Sequence, residues 1–328
     1  MNNAKKSATA LAACLIASLF AAAPAWAQVQ AEDLKQGQAG LLNKQSMDLG
    51  NTTGGGKAKV TAKNVNQGQA GLLNSQEMSI GNAGKGGQSD VSVSNVQQGQ
   101  AGLLNKQKMA IGNAGSGKSD VKPGTVMQGQ AGLLNSQNMN LGSVSGTGSS
   151  KVRTGAVLQG QAGLLQRQNM EVGATSGNGK SNVKAGAIVQ GQAGLLNNQD
   201  MKIGNASGNG KSNVAVGAVV QGQAGLLNNQ QLEVGNASGN GKSNVAVGAI
   251  VQGQAGLLNN QQAKIGNASG GTSNVAVGAI VQGQAGLLNS QQVNVGNANS
   301  GSTAVAAGAI VQGQGGLLNV QKVNIGNN

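Results

Sequence analysis

Asn274 to Asn297 reads NVAVGAIVQGQAGLLNSQQVNVGN. Its final part alternates, with Gln291, Val293 and Val295 on one side and Ser290, Gln292 and Asn294 on the other. A period of two belongs to a β-strand with one buried face. The octet at its centre, QGQAGLLN, recurs ten times with little change. The copies open at Gln36, Gln67, Gln98, Gln128, Gln159, Gln190, Gln221, Gln252, Gln282 and Gln312, in steps of 30 or 31 residues. Self-similarity at this interval predicts stacked units, each burying its apolar face only against the next.

Every copy repeats the alternation. The inner triplets run from Gln45-Met47-Leu49 and Gln76-Met78-Ile80 through Gln230-Leu232-Val234 to Gln321-Val323-Ile325, and no charged residue enters any of them. Lys44, Glu77, Lys106, Arg167, Asp200, Lys202 and Lys264 all fall on the opposite side. A slip of one residue would expose the whole apolar set, so the register is specified. The preceding half, VAVGAIVQGQ, is apolar on both sides. Val275, Val277, Ala279 and Val281 point one way and Ala276, Gly278, Ile280, Gln282 and Gln284 the other, which predicts a strand covered on both faces. Stretches such as Asn236 to Ser243 are rich in the Gly, Asn and Ser of turns. The two glycines of each QGQAGLL cost about 1 kcal/mol apiece inside a helix, so helix is disfavoured. The expected fold is all-β, a repetitive β-solenoid: a cross-β-like stack of ten strand-turn-strand repeats of about 31 residues.

One unit cannot stand alone. Its few sizeable apolar side chains contribute about 1.5–3 kcal/mol each on burial, against about 1–2 kcal/mol lost for every residue ordered. Stacked at about 4.8 Å, ten units form a column of roughly 50 Å. Stacking also gives the invariant amides partners. Gln45, Gln76, Gln107, Gln137, Gln168, Gln199, Gln230, Gln261, Gln291 and Gln321 are expected to form one hydrogen-bonded ladder. Asn43, Asn74, Asn105, Asn135, Asn197, Asn228, Asn259, Asn289 and Asn319 are expected to form a second, interrupted only by Gln166.

Residues 1–27 read as a secretory signal: Lys5 and Lys6, an apolar run from Ala8 to Ala23, and Ala25-Trp26-Ala27 as the cleavage site. Residues 28–328 then form a single repetitive domain. Leu11-Ala12-Ala13-Cys14 offers a rival lipoprotein cleavage box. The chain has no His, and its only Cys (Cys14), Phe (Phe20) and Trp (Trp26) lie in the leader. Thiolate or imidazole metal sites and His-activated nucleophiles are excluded by inventory, and no cofactor is expected. The nine acidic residues repeat neither type nor place, so paired-carboxylate hydrolysis is not indicated and the chain reads as a non-enzyme. Gly112 to Ser119 satisfies GxxxxGKS, but Asp120-Val121-Lys122-Pro123 does not begin a helix, so a turn is expected there. With 22 basic against 9 acidic residues the chain is strongly basic. Lys180, Lys211 and Lys242, expected in turns, could touch extracellular DNA or acidic polysaccharide. Without aromatic platforms, specific nucleic-acid recognition is not expected.

The spacing Gln-x-Gly-x-x-Asn, as in Gln254-Ala255-Gly256-Leu257-Leu258-Asn259, resembles the repeats of curlin, the subunit of curli-type bacterial functional amyloid. Ser238 to Gly248, SGNGKSNVAVG, is similar to repeats of Fap-type fibre subunits. The resemblance implies a secreted subunit that polymerises with itself into extracellular fibres of biofilm matrix or surface adhesion. It also implies outer-membrane secretion machinery and a nucleator or companion subunit as partners. The unit is longer than a curlin repeat and lacks its aromatics. A monomeric secreted solenoid that binds carbohydrate or a polyanion is the alternative; a barrel-anchored adhesin lacks its alternating aromatic segment. The charged Glu32 and Asp33 of the first copy, against Val323 and Ile325 of the last, lead to the expectation that the C-terminal face is the adhesive one.

Overall fold

In a computed structural model, residues 26–52 and 54–326 are described, and they form a parallel β-solenoid of ten coils. The expected leader lies outside the described residues, apart from the backbone of Trp26 and Ala27, which opens the first strand. From the third copy onward each coil is a 14-residue strand followed by an 8-residue strand, as in Lys211–Ala224 and Leu227–Val234 of the seventh. In the first two coils the pair runs unbroken as Trp26–Leu49 and Lys57–Ile80. Long strands pair with long and short with short, always parallel and always residue on equivalent residue: Gln190 on Gln221, Met201 on Leu232. Each residue therefore lies over its own equivalent one coil away, and its backbone N–H and C=O bond to C=O and N–H groups of the neighbouring coils.

The short strand follows the sequence expectation. In Leu227–Val234, Asn228, Gln230, Leu232 and Val234 are buried, while Leu227 and Gln231 are exposed. The long strand does not. In Lys211–Ala224 the buried residues are Ser212, Val214 and Val216, then Val219, Gln221 and Gln223. Inward positions thus pass from even to odd at Gly217-Ala218, and the pairing skips Gly217. A Cβ on Gly217 would overlap the carbonyl oxygen of Gly186 one coil below; glycine holds this bend from Gly124 onward, whereas Glu32, Lys63 and Ser94 occupy the same skipped place in the first three coils. The strand expected to be covered on both faces is instead a bent strand with one buried face. Val281, assigned to an apolar side by alternation, is exposed, as is its equivalent Val251 one coil earlier.

Between coils the chain turns at a glycine held in the left-handed region. At Gly142, φ is +66°, and a Cβ would sit 2.7 Å from Val183 Cγ2. The segment Asn236 to Ser243 is only partly a turn. Ala237–Ser238 is a short strand in a separate three-stranded sheet, and Lys242 opens the next long strand. Val, Ile and Met side chains from all three inward-facing runs form one continuous core from Leu49 to Val295.

Candidate assembly surfaces

Parallel, in-register stacking leaves each buried amide with only its own counterpart as neighbour, and so the ladders form. Along the short strands, Nε2 of each glutamine donates to Oε1 of the glutamine one coil earlier. Gln76 donates to Gln45 (3.0 Å), Gln199 to Gln168 (2.7 Å) and Gln230 to Gln199 (2.7 Å). The remaining links, through Gln107, Gln137, Gln168, Gln261 and Gln291 to Gln321, are all made. The asparagine column runs the other way. Nδ2 of Asn43 donates to Asn74 Oδ1 (3.1 Å), Asn74 to Asn105 (3.1 Å), Asn105 to Asn135 (3.2 Å), Asn197 to Asn228 (2.9 Å) and Asn228 to Asn259 (2.8 Å), then Asn259 to Asn289 and Asn289 to Asn319. The same nitrogen also donates to backbone carbonyls at the corner, as Asn197 does to Ala224 O at 2.9 Å.

Gln166 breaks this column. Its Nε2 donates to the carbonyls of Gly163 and Ala193 but reaches no side chain on Asn197. Asn135 donates to Gly132 and Ala162 and not to Gln166. Gln166 Oε1 and Asn197 Oδ1 are consequently buried without a hydrogen-bond partner.

Two further ladders escaped the sequence reading. The first and second glutamines of every QGQ stack as columns of their own: Gln221 donates to Gln190 (3.2 Å) and Gln223 to Gln192 (2.9 Å). Gln223 also donates to the carbonyl of Asn229, six residues on, and so clamps the AGLL corner between the strands. The signal was present, since both glutamines recur in all ten copies. Alternation placed them beside Ala276 and Gly278, which are not inward.

Outside, the two sides differ in charge. Outward positions at the start of the long strands from the second coil to the eighth carry Lys57, Lys59, Lys118, Lys122, Lys151, Arg153, Lys180, Lys184, Lys211 and Lys242 against the two acids Asp90 and Asp120. Lys180, Lys211 and Lys242 stack in register as the first residues of their strands, not in turns. The outward side of the short strands is mixed. Glu171, Lys202, Glu233 and Lys264 follow one another in a column of alternating sign, with Lys264 Nζ 3.9 Å from Glu233 Oε1. Burial raises the Glu171 carboxyl above its ordinary range, partly offset by Lys202. Burial also raises that of Asp200, with Glu233 adding to it and Arg167 and Lys202 opposing. On the first coil, the hydrogen bond from Asn64 lowers that of Asp33.

The corner itself is apolar. Both leucines of every QAGLLN lie at the surface, 40–46% exposed from Leu72 to Leu288. Ser119, of the P-loop-like octet, is buried in the strand Lys118–Ala131 and donates to Gly81 O at 2.5 Å, leaving no cradle for a phosphate. Among the described residues no three His, Cys, Asp or Glu side chains gather as a metal site. No family model, curated protein or solved structure matches the chain.

Proposed function

We propose that the protein is an exported structural subunit that stacks end to end into extracellular fibres of a biofilm matrix or adhesive coat. One observation carries this reading: each inner coil is held above and below by near-copies of itself, through the same backbone pairs and the same four amide columns, of which only the asparagine one is interrupted, at Gln166. A coil of a neighbouring molecule offers those same groups, so the contacts that build the molecule can also join molecules. The last described strands, Ser302–Gly315 and Leu318–Ile325, pair on one side only and leave Val311, Val323 and Ile325 exposed. Incubation of the purified chain is expected to give fibres that seed fresh protein and diffract at 4.7–4.8 Å along the axis. A chain that stays monomeric with preformed seeds present would refute the reading.

A second reading has its own observation, the one-sided basic face from Lys118 to Lys242. Stacked cations facing one way suit a long polyanion such as extracellular DNA or an acidic polysaccharide. Binding that weakens steeply with salt is expected, and binding insensitive to salt would remove it.

A further inference from the structure

Twenty leucines, two per coil, form a ridge along the AGLL corner for the full length of the stack. Two facts set it apart. The first is constancy: both positions are leucine in all ten coils, although the residue after the following amide varies among Lys44, Ser75, Arg167, Asn198 and Val320. Even the buried core is less constant, passing from Met201 to Leu232, Ala263 and Val293 within four successive coils. Packing inside the molecule does not account for an exposed side chain that varies less than the core.

The second is size. At 40–46% exposure per residue, the ridge presents on the order of 1,000 Å² of apolar surface. Soluble monomers rarely carry more than a few hundred Å² in one patch, and a standard interface takes about 800 Å² from each partner. The area needed for a stable pair is therefore already in place.

We infer that the leucine ridge is the contact face of an antiparallel pair formed by two copies of this chain. A copy is the partner whose side chains repeat at the same pitch along the whole length, so leucines of one ridge interdigitate with those of the other over every coil. Charge sets the direction. The groove beside the ridge carries Lys44, Lys106 and Arg167 in its first half and Asn198, Asn260 and Ser290 in its second. Parallel pairing would set cation against cation. A two-fold axis across the stack sets the cationic half of each copy against the neutral half of the other. At full overlap the fourth coil faces the seventh. This pairing is lateral, and it stands whether or not molecules also join end to end.

Two measurements test it, both on the full chain with Cys14 replaced by Ala. In sedimentation equilibrium from about 1 to 100 μM, before fibres form, the chain is expected to show a monomer–dimer equilibrium. Leu164, Leu165, Leu195 and Leu196 all changed to Ser should raise the dissociation constant at least about 100-fold, and the same four changed to Met by less than about tenfold. In the second, Ser136→Cys and Asn229→Cys chains, each with its ridge intact, are mixed and oxidised; cross-linking between the two variants should far exceed that of either alone. A monomer throughout, dimers unaffected by the serines, or cross-links mainly within one variant would each overturn the proposal. So would a monomer that floats with phosphatidylcholine vesicles, which would assign the ridge to lipid.

Discussion

The glutamine column from Gln45 to Gln321 and the asparagine column from Asn43 to Asn319 lie two residues apart on the same strands, yet one is continuous and the other is not. Each holds buried primary amides at the same rise. The glutamine column has no foreign member and makes every link, whereas the asparagine column contains Gln166 and loses two. One extra methylene is enough. It carries the Gln166 nitrogen onto the backbone carbonyls and takes both of its atoms out of line with Asn135 and Asn197. Stacked amides thus require equal side-chain length as well as equal chemistry, because the coil spacing is fixed by the backbone.

The strongest way to break the comparison is to remove a central member of the intact column. Gln199→Leu keeps the volume but leaves Gln168 Oε1 and the Nε2 of Gln230 unpaired. A loss of about 2–6 kcal/mol is expected, at about 1–3 per orphaned group, read as a lower denaturant midpoint. Asn228→Gln should turn the asparagine column into a twice-broken one at a cost of about 1–3 kcal/mol. A smaller loss would mean that Gln166 is an accident of its own site. Gln166→Asn is the converse, and by restoring both missing bonds it should stabilise the chain by about 1–2 kcal/mol. If hydrogen exchange in the fifth and sixth coils does not slow, length matching is not the cause of the break.

The smallest effect separates the amides from the charges outside. Amide ladders do not titrate, so differences among these variants should be independent of pH. Glu171 and Asp200 do titrate. With folded values above the unfolded ones, their contribution to stability is fully present below about pH 4 and is lost as pH rises through their raised values. Asp33 works in the opposite sense and loses its contribution as pH falls. A shallow decline in stability from about pH 4 to pH 7 is expected, flattened by Glu171→Gln with Asp200→Asn. A decline that survives both substitutions would place its origin elsewhere.

How much of this was legible follows from what each residue signals. The short strand was readable because every second position is apolar or Gln and every other one is polar or charged, so parity is unambiguous. The bend in the long strand was not readable, since Gly217 and Ala218 are small enough to suit either face and carry no parity. Everything before the bend was consequently read in one phase with everything after it, and Val281 was taken for an inward residue. Leu226 and Leu227 were given no face at all. Leucine belongs to cores by composition, and nothing local tells a ridge from a filling. The two QGQ columns were visible as constancy, but a polar residue on a face judged apolar was not recognised as buried.

The glutamine columns donate toward the preceding coil and the asparagine column toward the following one. Cut anywhere, the stack therefore shows two unlike surfaces: glutamine oxygens with asparagine hydrogens on one, glutamine hydrogens with asparagine oxygens on the other. A newcomer arriving upside down would set oxygen against oxygen in the glutamine columns and hydrogen against hydrogen in the asparagine column, or the reverse at the other end. The amides thus act as a one-way key, and any filament built on them has a distinguishable head and tail.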